Sequence, residues 1–390
     1  MPIHEMKKKM RFAILITVFN RKEKTLKCLD SVKESLALAS VNPDLAVYLT
    51  DDGSTDGTAE AIKERNYPFP IYILQGDGNL YWNGGMINSW KAAMASGEKW
   101  DGFLWLNNDT VVLPGFWDEL QEADEYCQEK YGKGGIYVGS TCDSSRSKLS
   151  YGGFNFVSKI TLKDVFVVPN GTFQECQCAH GNLTYISNDV VEKMGIFTDE
   201  YIHSGGDHDY TYRAYMKGFH LIVLPSFVGV CENDHPKDGY KSLSNMSLRE
   251  RIAAMKSPIG FNMHNTLVFQ RRCFPYRYPF VWAAWVHGAN LFEKCKNSGL
   301  SVKWWLKQKH KGRFIFKKVG RNVKYSTLKK GDCLVKNNRH IIMFVGQTSK
   351  GNYRLAQARR EGWDKGSIAV THHKHKRIGI QYVAIRFKGR

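Results

Sequence analysis

The sequence predicts an α/β fold, with a mixed, mainly parallel sheet flanked by helices and a small β-rich module after it, and three observations carry that prediction. Short apolar runs alternate with stretches of helical periodicity, the pattern of strands joined by helical crossovers. The runs are apolar throughout, as in strands covered on both faces. Several of them end in polar residues, so chemistry collects at one sheet edge, where open α/β sheets take their ligands.

In order, residues 12–19 (FAILITVF) form the first run, which stops at Asn20, Arg21 and Lys22. Lys7, Lys8 and Lys9 precede it as in a signal peptide. No small-residue cleavage site follows and charged residues 21–24 come next, so the run reads as a strand. Leu26, Leu29, Val32 and Leu36 then mark an amphipathic helix. Residues 45–50 form a second strand ending in Asp51-Asp52-Gly53-Ser54-Thr55-Asp56-Gly57, with a helix over 58–65. Residues 71–74 form a third, leading into Gly76-Asp77-Gly78-Asn79 and a helix from about 84 to 95. The fourth, 102–106, ends in Asn107-Asn108-Asp109. Alone, that tripeptide reads as a strand-end turn. Together with Thr17, Asn20, Asp51, Asp52 and Asn79 it reads as a row of oxygen ligands suited to Mg²⁺ or Mn²⁺ carrying a diphosphate. Farther on, 181–187 and 221–224 read as strands, 190–194 as a helix, and Asp207 as the start of another helix. An acid there is by default a cap.

Composition narrows the setting. Nine cysteines at irregular spacings argue for reduced thiols in a cytoplasm. No run approaches the roughly 20 apolar residues of a membrane span. The formal charge of +19 is uneven: residues 301–390 carry 24 Lys and Arg against 3 acids, leaving 32 basic and 34 acidic residues before them. The expected segments are therefore 1–300, a basic aromatic linker or interfacial helix over 301–322, and a β-rich module over 323–390. Residues 301–320 mix Trp304, Trp305, Phe314 and Phe316 with cations. That mixture suits either an anionic membrane surface, placing the chain at the inner face of the cytoplasmic membrane, or a helix packed on the body. No stacking platform or helix-turn-helix pattern accompanies the charge, which argues against nucleic acid.

Read as a set, the motifs resemble family-2 glycosyltransferases of the GT-A fold, in their rhamnosyltransferase-like branch, over roughly 11–275. Thr17-Val18-Phe19-Asn20 is similar to the first-strand motif and Asp51-Asp52-Gly53-Ser54-Thr55-Asp56 to the nucleoside-binding acids. Residues 78–86 (GNLYWNGGM) resemble the glycine-rich donor loop, Asn107-Asn108-Asp109 the metal motif, and Gly206-Asp207-His208-Asp209 the catalytic acid motif. The resemblance implies inverting transfer of a sugar, rhamnose in that branch, from a nucleotide-diphosphate donor to a glycan or lipid-linked acceptor in cell-surface polysaccharide synthesis. It implies Asp207 as base, Asp209 and Arg213 on the acceptor side, and Thr17, Asn20, Asp51, Asp52, Asn79, Trp82, Gly84, Gly85, Asn108 and Asp109 around the donor. Mg²⁺ or Mn²⁺ would sit on Asp109 and on a histidine, here His235. Position 108 is an amide where the family often has a second acid. Trp82 packs on sugar or acceptor, or is a buried anchor.

Residues 328–335 with His340-Ile341-Ile342-Met343-Phe344-Val345-Gly346 resemble the second half of an NlpC-type cell-wall peptidase or amidase, which implies a base at His340. Neither Cys295 nor Cys333 has the context of that family's nucleophile. Without a thiolate beside the base there is no covalent catalysis, so the module is expected to be vestigial or to bind. The first strand-helix turn lacks Gly-x-Gly-x-x-Gly, which disfavours a dinucleotide dehydrogenase. The remaining alternatives are a sugar nucleotidyltransferase and an inactive carbohydrate-binding protein.

Overall fold

The computed structural model describes residues 9–233, 257–259, 262–279 and 281–282, and the backbone of six strands between 315 and 388. The chain divides into two compact units, Met1–Tyr278 and Pro279–Arg390, so the charge boundary near residue 300 falls inside the second.

The first unit is the mixed α/β sheet that the sequence predicts. Its core strands are β1 (Arg11–Val18), β2 (Asp44–Asp51), β3 (Ile71–Gln75), β4 (Gly102–Leu106), β6 (Ile136–Cys142), β12 (Leu183–Ser187) and β13 (Leu221–Val230). The order β10-β13-β6-β12-β4-β1-β2-β3 is closed at one edge by β10 (Gln174–Cys176), and β5 (Val111–Val112) and β7 (Leu149–Tyr151) pair with β13 and β6. β1 pairs in parallel with β2 and β4, β2 with β3, and β6 with β13, while β12 runs antiparallel between β4 and β6. A three-stranded sheet of β11 (Cys178–Ala179), β8 (Gly153–Ser158) and β9 (Lys163–Phe166) stands beside it.

The apolar runs are continuous because successive side chains enter two different cores. Phe12, Ile14, Ile16 and Val18 of β1 pack with Leu26, Leu29 and Val32 of α1 (Lys22–Ala37) and Trp117 and Leu120 of α4 (Phe116–Tyr131). Ala13 and Leu15 face Met86 and Trp90 of α3 (Tyr81–Ala95), with Val190 of α5 (Asn188–Met194) and Tyr210 of α6 (Gly206–Met216). α2 (Thr58–Lys63) follows β2, and α7 (Met263–Cys273) opens on Asn262, whose side chain accepts the Asn265 N–H. The parallel strands share a direction, so the residues after β1, β2, β3 and β4 meet at one edge.

Three elements differ from expectation. α3 begins at Tyr81, not near 84, because Asp52 accepts the Tyr81 N–H from across the turn. Gly84 and Gly85 are thus helical, and the loop before them is short. β13 continues six residues past 224, through register shifts around Phe227. In the second unit, Ile315–Arg321 is strand β14 paired with β19 (Tyr382–Lys388), where a linker or interfacial helix was expected to close. β15 (Cys333–Lys336), β16 (His340–Gln347), β17 (Tyr353–Ala358) and β18 (Ile368–His373) complete a six-stranded antiparallel sheet in the order β14-β19-β15-β16-β17-β18. Residues 301–314 lie outside the described residues.

Candidate active site

At the end of β1 the chain turns sharply. Asn20 adopts a left-handed conformation (φ 49°), which asparagine tolerates better than most residues. Its N–H donates to Ser54 Oγ at 3.0 Å and its Oδ1 accepts the Thr55 N–H at 2.8 Å. Asp56 accepts the Lys22 N–H at 2.9 Å, so the 51–57 segment holds the start of α1. Much of the acidic motif after β2 is occupied in this way. Asp51 Oδ1 accepts the Ser54 N–H at 2.8 Å. Asp52 uses both carboxylate oxygens, on the Gly78 and Tyr81 N–H groups, each at 2.9 Å. Both acids are buried. Asp51 Oδ2 makes none of the described hydrogen bonds. Tyr81, bound by Asp52, is itself left-handed (φ 52°), a strained state for an aromatic residue.

Asn79 N–H donates to Asp77 Oδ1 at 2.9 Å, and with Gly84 it borders an open hollow of about 390 Å³ between α3 and residues 199–202. Gly85 lies where α3 crosses β1: a Cβ there would sit 2.0 Å from Thr17 Oγ1. Its place is explained by packing, and Thr17 is held against the helix.

After β4 the three residues of the tripeptide point to different partners. Asn107 Oδ1 accepts the Trp82 Nε1–H at 2.8 Å. Asn108 is buried and donates to Thr25 Oγ1 of α1 at 3.0 Å. Asp109 Oδ2 meets Arg21 Nη1 at 2.6 Å, with the Arg21 side chain 47% exposed and that of Asp109 18%. On the other side of Asp109, the Cys231 thiol, just past β13, lies 3.7 Å from Oδ1. Burial, then the Asp109 charge, pushes that thiol up to about 12.

Across the edge, Asp207 stands in the first turn of α6. Its Oδ2 accepts the Gly181 N–H and its Oδ1 the His208 N–H, both at 2.9 Å. His208 Nε2 is 3.9 Å from Oδ2, and the His180 ring stands 4.8 Å from that of His208. His180 Nδ1 lies 3.0 Å from the Gly152 carbonyl, which fixes the proton on that nitrogen. Burial pushes the Asp207 carboxyl up. His208, His180 and the two N–H donors outweigh it and hold the group below the usual carboxylate range. A side chain at Gly181 would meet the Trp82 ring at 3.0 Å and Asp207 Cβ at 3.2 Å. Trp82 therefore spans from the β4 end to the Asp207 turn, with its ring against Phe197 (centroids 5.5 Å apart).

Residues 13–166 match the family model of glycosyl transferase family 2. The matched segment carries β1 to β9, with Thr17, Asp51, Asp52 and Asp109, and ends before Asp207. No curated protein sequence matches the chain. Among solved structures, a Pyrobaculum calidifontis mannosyltransferase, PcManGT, in complex with GDP-Man and Mn²⁺, is similar at 16% identity and a TM-score of 0.42, covering 77% of this chain and 84% of its own. S. aureus TarS 1–349 is similar at 13% identity and a TM-score of 0.42, covering 76% and 78%.

At the end of β4 a hard dication finds one carboxylate, Asp109, and among the described residues no three His, Cys, Asp or Glu side chains are grouped so as to hold a metal ion. That donor set fits Mg²⁺ or Mn²⁺ of the kind held by one or two carboxylates, with phosphate oxygens and water completing the shell. His235 lies outside the described residues. Asp209 is 1% exposed, and its carboxylate meets Arg213 at 3.2 Å and Arg272 at 2.9 Å, with Cys273 Sγ at 3.4 Å. Glu200 pairs with both Arg271 and Arg272. The sequence reading missed Arg272, which reaches Asp209 from 63 positions away without any local signal. It also missed the Arg21–Asp109 pair, although Arg21 directly follows the first-strand motif.

Proposed function

We propose that this chain is an inverting glycosyltransferase that moves a sugar from a nucleoside-diphosphate donor to an acceptor hydroxyl. The observation that carries this is the meeting of two half-sites: Asp51 at the end of β2 and Asp109 after β4, and Asp207 linked to the Asn107-Asn108-Asp109 tip through Gly181, Trp82 and Asn107. The family match to residues 13–166 supports the donor half.

In this reading Asp51 Oδ2 accepts from the nucleoside, with Thr17, Asn20 and Asn79 around it, while Asp52 positions the 76–81 turn. Asp207, kept ionised by its N–H donors and histidines, takes the acceptor proton as the hydroxyl oxygen attacks the anomeric carbon and the bond to the diphosphate breaks. Asp209 orients Arg213 toward the acceptor side. A Mg²⁺ or Mn²⁺ held by Asp109, with His235 as second ligand, would supply Lewis-acid stabilisation to the leaving diphosphate. Rhamnose is the donor sugar suggested by residues 78–86, and a glycan or lipid-linked acceptor in surface polysaccharide synthesis follows from the same resemblance. The basic segment 301–320 would bring the enzyme to anionic lipid, and the C-terminal sheet would serve as an accessory binding module. No helix among the described residues is long and apolar enough to cross a membrane.

The test is a panel of nucleotide sugars with Mg²⁺ or Mn²⁺. Release of nucleoside diphosphate from one member supports transfer, pyrophosphate would make the chain a nucleotidyltransferase, and no turnover on any member would leave a binding protein. Indifference to anionic liposomes at low salt would remove the membrane role.

A further inference from the structure

The strongest unassigned feature at the edge is the Arg21–Asp109 pair. The backbone on both sides of Arg21 is held: Asn20 is locked into Ser54 and Thr55, the Lys22 N–H is taken by Asp56, and Thr25 Oγ1 donates to the Arg21 carbonyl at 2.9 Å. Asn108 ties the β4 end to the same turn of α1 through Thr25. The two chain segments are thus stitched together, and the guanidinium reaches Asp109 from a fixed base. Its half-exposed side chain leaves it free to reorient, whereas Asp109 is mostly covered. A cation approaching Asp109 meets a carboxylate whose Oδ2 is already paired with the Arg21 guanidinium and whose Oδ1 is faced by the Cys231 sulfur.

We propose that Arg21 is a resident counter-charge at Asp109 in the donor-free protein, excluding free divalent cation until a nucleoside diphosphate arrives, and that it then moves to the diphosphate. This deepens the glycosyltransferase reading and rests on it for the second half only. A guanidinium matches phosphate oxygens bidentately, so the arriving donor would draw Arg21 off Asp109 and open the carboxylate to the cation. Cation and donor would then enter together.

The experiment is a titration of Mn²⁺ alone into the donor-free full chain, followed by the electron paramagnetic resonance signal of the free ion. Arg21→Gln removes the competing charge and should bind Mn²⁺ about 1.5-fold to fivefold more tightly than the parent, the range of one partly exposed ion pair. Asp109→Asn in the Arg21→Gln background should abolish the gain. With the donor identified, Arg21→Gln should lower kcat at least about tenfold, through lost charge neutralisation on the leaving group. Mn²⁺ affinity unchanged or weaker in Arg21→Gln, undetectable binding in both proteins, or a gain that survives Asp109→Asn would overturn the proposal. The Mn²⁺ titration needs no turnover, so failure of the sugar-nucleotide panel would sink the assigned reaction without touching this result.

Discussion

Asp52→Ala tests whether this carboxylate builds the turn over residues 76–81. Asp52 is 4% exposed and accepts two backbone N–H groups, from Gly78 and Tyr81, each at 2.9 Å. Truncation leaves both donors without an acceptor, at about 1–3 kcal/mol apiece. The turn is at the surface and part of that cost is recovered by water, so we expect a loss of about 3 kcal/mol. For a unit of this size that lowers Tm by about 5 °C. Tyr81 held left-handed adds a local signature: without Asp52 the first turn of α3 should fray, and amide exchange at 78–84 should rise. Denaturant unfolding and hydrogen exchange measure the two effects. Asp52→Asn keeps one acceptor and should fall between parent and Asp52→Ala. A loss below about 1 kcal/mol with unchanged exchange would refute the reasoning, because the predicted cost comes from those two bonds.

Three further outcomes follow from the same geometry. Gly85→Ala places a methyl 2.0 Å from Thr17 Oγ1 and should cost about 1–3 kcal/mol by overpacking, with Thr17→Ala recovering part of it; no recovery would put the clash elsewhere. Asp209→Ala strips the counter-charge from Arg213 and Arg272 and should cost about 3 kcal/mol, the lower end for a buried pair because both guanidiniums are partly exposed; Arg272→Met should cost less, and the reverse order would contradict the assignment. The Asp207 carboxyl is depressed, so its ionised form persists down through the ordinary carboxylate range and is lost only as pH falls through the lowered value. The acid limb of kcat/KM should therefore lie below the usual aspartate value. His208→Gln or His180→Gln should move it upward, since burial is then less opposed. A limb that stays put in both variants would detach the histidines from Asp207.

Much of the fold was legible because its signals are local. β1, β2 and β4 are short apolar runs covered on both faces, and α1 carries Leu26, Leu29 and Val32 at helical spacing. The start of α3 was not, because the group that fixes it, Asp52, is 29 positions upstream. The long β13 was hidden by Pro225 and Ser226, where the pattern breaks though the strand continues. β14 was masked by the cations that surround it. At the site, the motif residues mark where chemistry collects, but not which oxygen of each acid is free. Asp51 and Asp52 look alike in sequence and differ in that Asp52 is bound at both oxygens. Arg272 illustrates the remainder: a long-range ion pair leaves no trace in spacing.

The proposed reaction assigns Asp207 as the base of a sugar transfer from a nucleoside-diphosphate donor. The most direct measurement compares the parent chain with Asp207→Asn on the donor found in the panel, following nucleoside diphosphate release with acceptor present and donor binding by calorimetry. Transfer should fall at least about a hundredfold while donor affinity stays within about twofold, because the proposed role of Asp207 is on the acceptor hydroxyl. Transfer undiminished in Asp207→Asn would contradict it.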